Sequence, residues 1–202
     1  MINFGNIFKA TLSHLEIAFL GVLIGAVAGI SVASLIKTRK RISRIVLTIV
    51  DILQTIPTLA MFTFLMLIFG LNDATVIASI FLFSLFPIVR NTYTGITNVD
   101  KGVIKAGRGI GMTTWQIYCK LEIPLALPVI LSGIRLAIIS ALGVATTGVL
   151  IGAGGLGMMV WRGIQTRNTV LMLSGAIPVS LLAILFDVLL SALEKRQKRQ
   201  LR

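Results

Sequence analysis

Apolar residues fill five long blocks of this chain, and polar intervals separate one block from the next. An α-helix rises about 1.5 Å per residue, so about 20 apolar residues cross the ~30 Å hydrocarbon core of a bilayer. Each block is therefore predicted to span a membrane, in an all-α, polytopic protein with a single transmembrane domain over residues 1–202. The predicted spans are residues 15–36, 45–69, 74–91, 128–150 and 169–193.

The longest polar interval, residues 98–128, lies between the third and fourth predicted spans. Asp100 is predicted to cap a first short helix, because its carboxylate can accept hydrogen bonds from the amides of the opening turn. Thr113 and Gln116 have the spacing of a capping box and predict the start of a second helix. Between them stand Gly107, Gly109 and Gly111. These glycines are predicted to weaken and end the first helix.

Small residues recur every four positions along the first predicted span. They are Gly21, Gly25, Gly29 and Ala33. This spacing places small side chains on one stripe of a helix, where a second helix can approach closely. We therefore predict a close helix contact along the stripe, and packing without a specific partner is the alternative.

The second predicted span contains three residues that are unusual at membrane depth, Asp51, Gln54 and Pro57. Pro57 removes a helix hydrogen bond and predicts an opening or kink, which a membrane tolerates only against protein or a water-filled path. Asp51 lies ~10 Å from the basic end of the span at ~1.5 Å per residue. A carboxylate there is a functional candidate, and its charge suits a cationic solute. The alternative is an interfacial acid paired with Arg44 or with a neighbouring helix.

The last two predicted spans also contain residues that interrupt an apolar pattern. Arg135 lies roughly two turns inside the fourth span, where a guanidinium must reach the interface, pair with an acid or face a cavity. Asp51 and Asp187 are both candidate partners for it. Gly175 and Pro178 are predicted to interrupt the fifth span.

A glycine-rich sequence, residues 152–157, follows the fourth predicted span and is named here the glycine loop. It superficially resembles a phosphate-cradling loop but lacks the soluble strand that precedes one. We predict a flexible re-entrant or gating backbone formed by Gly152, Gly154, Gly155 and Gly157. Residues 158–168 are predicted to be an outer interfacial connection. Residues 1–14 are predicted to lie along the same interface, with His14 as an interfacial residue.

The composition supports a membrane protein and excludes an ordinary soluble domain. Hydrophobic residues make up 56% of the chain and charged residues 13%, against roughly 25% charged in soluble domains. A formal net charge of +12 can indicate nucleic-acid binding, but the basic residues lie at the ends of apolar blocks and not on one groove-sized face. His14 and Cys119 have no companions at ligand spacing, so neither a metal site nor a catalytic residue is predicted.

The distribution of lysine and arginine predicts the orientation. Five positive residues follow the first span, five lie between positions 90 and 120, and five form the carboxyl-terminal tail. Only Lys9, Arg162 and Arg167 fall on the opposite side. Because positive residues are enriched in cytoplasmic loops, the amino terminus is predicted outside and the carboxyl terminus inside.

A spaced pattern of residues within 98–128 resembles a known motif. The pattern is Lys105-Ala106-Gly107, Gly111, Leu121 and Ile123-Pro124. It resembles the cytoplasmic loop of integral subunits of bacterial ABC importers: Glu-Ala-Ala, three residues, Gly, nine residues, Ile, one residue, Leu-Pro. The central alanine, the later glycine and the proline match, whereas lysine replaces the glutamate. In that family the loop docks on the ATPase, so the resemblance assigns coupling to Lys105, Ala106, Gly107, Gly111, Leu121 and Pro124. We name residues 98–128 the coupling loop.

Four further segments resemble the permeases of osmoprotectant importers, which carry quaternary amines such as glycine betaine, choline and carnitine. They are residues 54–60, 86–93, 125–128 and 151–157. The resemblance implies a MetI-like transmembrane domain in a bacterial cytoplasmic membrane. The residues noted above as unusual at membrane depth, Asp51, Gln54, Pro57 and Arg135, are the candidates for the translocation pathway of such a permease. Permeases for methionine or another amino acid are one alternative, and a membrane scaffold or sensor without transport is another.

The same resemblance implies a multi-subunit importer. The chain contains no Walker A sequence, so we expect a permease that is not an enzyme, with ATP hydrolysed on a separate subunit. The implied partners are two ATPase subunits that hold ATP and Mg, a second permease chain, identical or different, and an extracytoplasmic solute-binding protein. No cofactor is expected on this chain.

Overall fold

The computed structural model describes residues 4–200, and all regular elements in that range are helical. The nine α-helices within residues 4–200 are α1 (Phe4–Ile36), α2 (Lys40–Thr55), α3 (Thr58–Phe69), α4 (Asp73–Thr97), α5 (Lys101–Gly109), α6 (Thr114–Ile117), α7 (Ile123–Thr147), α8 (Leu156–Gln165) and α9 (Thr169–Gln200). A π-helix, Tyr118–Glu122, joins α6 to α7, and a 3₁₀ turn, Gly148–Ile151, follows α7. The predicted all-α fold is confirmed.

Four stretches in the described part of the chain are helical, long and apolar enough to cross a membrane: Phe4–Ile36, Asp73–Thr97, Thr114–Ile151 and Thr169–Arg199. The pair α2 and α3 makes a fifth span if the two are counted together. Their axes meet at 102°, so the predicted span 45–69 is a sharply bent pair. Ile56 is extended before Pro57, because proline disfavours helical geometry at the preceding residue. The predicted kink is confirmed.

The first and fifth predicted spans differ from the helices in the structure. Helix α1 begins at Phe4 and not near position 15, so the predicted interfacial segment 1–14 is, from Phe4 onward, the first turns of a spanning helix. Helix α9 continues through Gly175 and Pro178 to Gln200, so the predicted interruption is wrong. An apolar surrounding makes every broken backbone hydrogen bond costly, and this favours a continuous helix over a break.

The centre of the molecule is formed by α1, α4 and α7, whose apolar side chains share one buried cluster. The glycine stripe of α1 lies against α4. A Cβ added at Gly21 would stand 2.5 Å from Ile80 Cγ2, and one added at Gly25 would stand 2.7 Å from Ser84 Cβ. Real Cβ atoms do not approach other atoms so closely, so α4 reaches α1 only because these positions are glycine.

The two short helices predicted within the coupling loop are confirmed. Asp100 accepts a hydrogen bond from the Gly102 amide at the start of α5. Thr113 and Gln116 form the predicted capping box at the start of α6, with Thr113 N donating to Gln116 Oε1 at 2.8 Å. Residues 118–122 then continue as a π-helix into α7. The fourth span therefore begins well before residue 128 and is continuous with the loop.

Candidate translocation groove and coupling surface

An ion pair joins α2 to α4 within the spanning region. Arg90 Nη1 donates to Asp51 Oδ1 at 2.6 Å and to Asp51 Oδ2 at 2.7 Å. The two side chains remain 52% and 43% exposed. Of the two partners considered for Asp51, Arg44 and a neighbouring helix, the structure shows the neighbouring helix.

Polar residues on α2 form a stripe that continues this ion pair along the helix. Lys40, Arg44, Thr48 and Asp51 recur at intervals of four, four and three residues, which places them on one face. With α4 they border a groove of about 400 Å³. The α2–α4 groove is lined by Lys40, Ser43, Arg44, Leu47, Thr48, Asp51, Arg90 and Tyr93.

The ionised side chains of the groove restrict the surroundings that this surface can face. Ionised side chains at membrane depth are stable only against other protein, against each other or against a water-filled cavity. Asp51 lies ~16 Å along α2 from Lys40, and Arg90 lies ~10 Å along α4 from Thr97, at ~1.5 Å per residue. A half-exposed pair at such depth indicates a face turned toward water or a second protein surface rather than toward hydrocarbon.

The four residues predicted for the pathway do not form one site. Asp51 lines the groove, whereas Gln54 and Pro57 lie exposed at the bend between α2 and α3. Arg135 lies elsewhere, between α7 and α9, where Nη1 is 3.3 Å from Asp187 Oδ1 and Nη2 is 3.8 Å from Glu194 Oε2. Of the two partners considered for Arg135, the structure shows Asp187.

The sequence pattern alone does not assign Arg90 or Tyr93 to the pathway. Arg90 is the next to last residue of the predicted span 74–91, and by sequence it is one of the positive charges that predict a cytoplasmic location. The signal that could identify it is its position inside an apolar block, three residues before Tyr93 on the same helical face. Helix α4 continues to Thr97, so both residues lie within a regular helix.

In the coupling loop, α5 packs on the π-helix through Gly107. A Cβ added at Gly107 would stand 2.8 Å from Leu121 Cδ1, 3.3 Å from Met112 Sδ and 3.7 Å from Ile117 Cγ1. Gly107 stands where the motif has its second alanine. At this position the chain has no room for a methyl group. Leu121 thus contacts α5 within the loop itself.

The remaining coupling residues lie toward the surface or at the loop's ends. Lys105 and Ala106 are exposed on α5, and Pro124 stands in the first turn of α7. Lys105 borders a cavity of about 360 Å³ that is also lined by Lys101, Arg108, Lys37 and Glu122. Apolar side chains beside them are exposed, with Ile110 81% and Trp115 71% accessible.

Gly111 has a different structural role from Gly107. Its φ of 83° lies in the left-handed region, and no atom stands within 4 Å of the position that a Cβ would occupy. Glycine adopts this backbone conformation without the steric cost that a side chain brings. Gly111 therefore sets the path of the turn between α5 and α6, and its surroundings leave space for a partner.

Three contacts tie the coupling loop to the end of α1. Lys37 forms an ion pair with Glu122 of the π-helix, and these side chains are only 15% and 17% exposed. The Lys37 ammonium also lies 4.3 Å from the centre of the Tyr118 ring. Ser34 Oγ and the Tyr118 hydroxyl share a hydrogen bond of 2.6 Å. We name these four side chains the α1 link.

The glycine loop lies at the opposite end of the molecule and is held by surrounding helices. The Gly154 amide donates to Asp73 Oδ1 at 2.9 Å. Gly155 has a φ of 89°, and a Cβ there would stand 3.1 Å from His14 Cα. Such packing differs from the loose backbone expected from the sequence, and the gating role stays a prediction. His14 is completely buried against this loop, so its predicted interfacial position is wrong.

Residues 156–165 form the helix α8. This helix includes Leu156 and Gly157 of the glycine loop, and the rest of it lies within residues 158–168, which the sequence predicts as an outer connection. No group of three or more His, Cys, Asp or Glu side chains within residues 4–200 is arranged to hold a metal ion.

Comparison with known proteins identifies a matching family and similar permeases. Residues 4–199 match the family described as binding-protein-dependent transport system inner membrane component. The chain is 48% identical over 183 residues to the carnitine transport permease protein OpuCD of Listeria monocytogenes, covering 90% of this chain and 82% of that protein. It is 42% identical over 194 residues to the glycine betaine/carnitine/choline transport system permease protein OpuCD of Bacillus subtilis, covering 96% and 85%.

Solved structures show the same fold at lower sequence identity. The inward-facing MetNI methionine ABC transporter superposes with a TM-score of 0.85 at 22% identity, over 96% of this chain and 97% of that one. An amino acid ABC transporter gives a TM-score of 0.73 at 21% identity, over 99% of each chain. At this identity the likeness concerns the fold.

Proposed function

Because the chain belongs to the family of binding-protein-dependent transport system inner membrane components, we propose that it forms the translocation pathway for a quaternary amine in an ATP-driven importer. The observation that carries the solute class is the 42–48% identity, over at least 90% of this chain, to permeases named for carnitine, glycine betaine and choline. The methionine transporter shares the fold at 22% identity. This likeness supports the architecture, but it does not support methionine as the solute of this chain.

The chain is a multi-pass protein of the cell membrane and a transporter subunit, not an enzyme. Its proposed partners are a pair of ATPase subunits, a second permease chain and an extracytoplasmic solute-binding protein. ATP and Mg²⁺ are proposed to be bound by the ATPases, with no cofactor on this chain. The exposed Ile110 and Trp115 support a docking role for the coupling loop, because large exposed apolar side chains indicate an interaction surface.

The proposed orientation has the amino terminus outside and the carboxyl terminus inside. It places the basic residues of the coupling loop and of the tail after residue 193 on the cytoplasmic side, as the enrichment of positive charge in cytoplasmic loops requires. The glycine loop and α8 are then on the outer side, where a solute-binding protein would deliver its solute.

The contacts described above connect the coupling loop to the α2–α4 groove through α1 and α4. Closure of the ATPase pair would displace α5 and α6, and the α1 link would transmit this displacement to the end of α1. Helix α1 packs closely against α4 at Gly21 and Gly25, so a displacement of α1 would carry α4 with it. Movement of α4 relative to α2 would open or close the α2–α4 groove, in which Arg90 and Asp51 meet.

The test is energised uptake by the assembled importer of labelled carnitine, glycine betaine and choline, with methionine as the control solute. Uptake of a quaternary amine that is lost when the ATPase is inactivated is the expected result. Uptake of methionine alone would keep the architecture and contradict the solute. Absence of transport by a chain that also fails to co-purify with an ATPase would favour a scaffold or sensor.

A further inference from the structure

The α2–α4 groove contains three basic side chains and one acidic side chain. Lys40, Arg44 and Arg90 line it together with Asp51. After Asp51 pairs with Arg90, the positive charges of Lys40 and Arg44 remain, and neither takes part in an ion pair in the described part of the chain. A positive groove repels a solute that carries only positive charge, whereas a carboxylate on the same solute offsets this repulsion.

We propose that the α2–α4 groove binds zwitterionic quaternary amines, which carry a carboxylate, in preference to purely cationic ones. Arg90 is assigned to the solute carboxylate and Asp51 to the quaternary ammonium group. The proposal rests on the proposed function, because it concerns which quaternary amines the pathway accepts. It separates glycine betaine and carnitine, which carry a carboxylate, from choline, which does not.

In the ion pair of Asp51 and Arg90, each side chain can exchange its present partner for a charged group of such a solute. Both contacts to Asp51 are made by Nη1 of Arg90, and the two side chains are about half exposed to the groove. A guanidinium can bind a carboxylate through two parallel hydrogen bonds. When the solute carboxylate takes Arg90, the ammonium group takes Asp51. Each protein charge therefore keeps a partner, and neither is left desolvated and unpaired.

An aromatic ring completes the set of groups that a betaine would use. Tyr93 lines the groove one helical turn from Arg90. Its hydroxyl is bonded to Ser43 Oγ at 3.2 Å, which fixes the ring between α2 and α4. Aromatic ring faces attract quaternary ammonium groups. A cationic solute such as choline could use Asp51 and Tyr93, but it would displace Arg90 from its acid and leave the guanidinium without a partner in a groove that also holds Lys40 and Arg44.

The experiment measures uptake of glycine betaine and of choline by the same assembled importer, with the same solute-binding protein throughout. That protein selects solute in every sample equally, so a change in the uptake ratio between variants reports on the permease. The variants are Arg90→Gln, which removes the charge, and Arg90→Lys, which keeps the charge but loses the bidentate geometry. Arg196→Gln, in the exposed end of α9, is the matched control.

We expect Arg90→Gln to lower the uptake of glycine betaine relative to choline by about tenfold, the size of one strong charge-assisted contact. Arg90→Lys is expected to give an intermediate ratio, and Arg196→Gln the wild-type ratio. An unchanged ratio in an Arg90→Gln importer that still assembles with its ATPase would overturn the proposal, as would equal losses for both solutes. Failure of the wild-type importer to carry either solute would instead contradict the proposed function itself.

Discussion

The two faces of α4 differ in packing and polarity. Toward α1, helix α4 presents Ile80 and Ser84 to glycines, and the contact is so close that a single added methyl group has no room. Toward α2, the same helix presents Arg90 and Tyr93 to a groove of about 400 Å³. The first face fixes α4 to α1, and the second leaves polar groups accessible. The two faces of this helix therefore fit the two proposed roles, transmission of a displacement on one side and contact with a solute on the other.

The largest expected effect on stability comes from a substitution in the packed contact between α1 and α4. Gly21→Ala is expected to lower the free energy of unfolding by about 3 kcal/mol, because the new Cβ overlaps Ile80 and overpacking of a tight contact is costly. Gly143→Ala in α7 is the control, since nothing lies within 4 Å of its Cβ position. Thermal unfolding of the two purified variants in detergent measures the difference. Equal melting temperatures would show that the α1–α4 contact is not rigid and would remove the distinction between the two faces of α4.

The next effect concerns the α1 link, through which motion is proposed to reach the packed face. Glu122→Lys is expected to destabilise the chain by about 2 kcal/mol and to reduce the uptake gained per ATP hydrolysed, because it leaves Lys37 partly buried beside a like charge. The double variant Lys37→Glu with Glu122→Lys restores an ion pair across the same contact. Recovery of coupled uptake in the double variant is expected, and no recovery would show that the pair does not transmit the motion.

A smaller effect on stability is expected at the turn of the coupling loop, with a large effect on uptake. Gly111→Val forces a side chain into the left-handed region at a cost of roughly 1–2 kcal/mol and is expected to abolish coupled uptake while membrane insertion persists. Gly109→Val is the matched control, because its Cβ position is equally open and its φ is not positive. Uptake and membrane content are measured for both. Normal uptake by the Gly111 variant would remove this turn from the coupling mechanism.

Local sequence signals predicted the helices and their caps because those signals act within a few residues. The capping box of Thr113 and Gln116 and the break at Pro57 depend only on adjacent backbone, and both are present in the structure. The continuity of α9 through Pro178 was not predictable in the same way. It depends on the cost of leaving backbone groups unsatisfied in an apolar surrounding, which no local pattern expresses.

The candidate site was only partly predictable from the sequence. Asp51 was identified because an acid inside an apolar block is unusual, but its pairing with Arg90 joins residues 39 positions apart. Similarly, the partner of Arg135 was left open between two acids, and only the packing of α7 on α9 selects Asp187. The buried position of His14 depends on contact with Gly155, far along the chain. Distances of this kind are set by the fold as a whole.

The most informative measurement asks whether the α2–α4 groove is a solute-accessible aqueous path. In a Cys119→Ser background, Thr48→Cys places a thiol in the groove, and Ile49→Cys places one on the next residue, which is exposed but does not line it. The assembled importer is treated with a charged, membrane-impermeant thiol reagent applied to both sides, with and without glycine betaine and its binding protein. We expect rapid labelling of Thr48→Cys that solute and turnover slow, and little labelling of Ile49→Cys. Equal labelling of the two, unaffected by solute, would contradict a solute pathway along this groove.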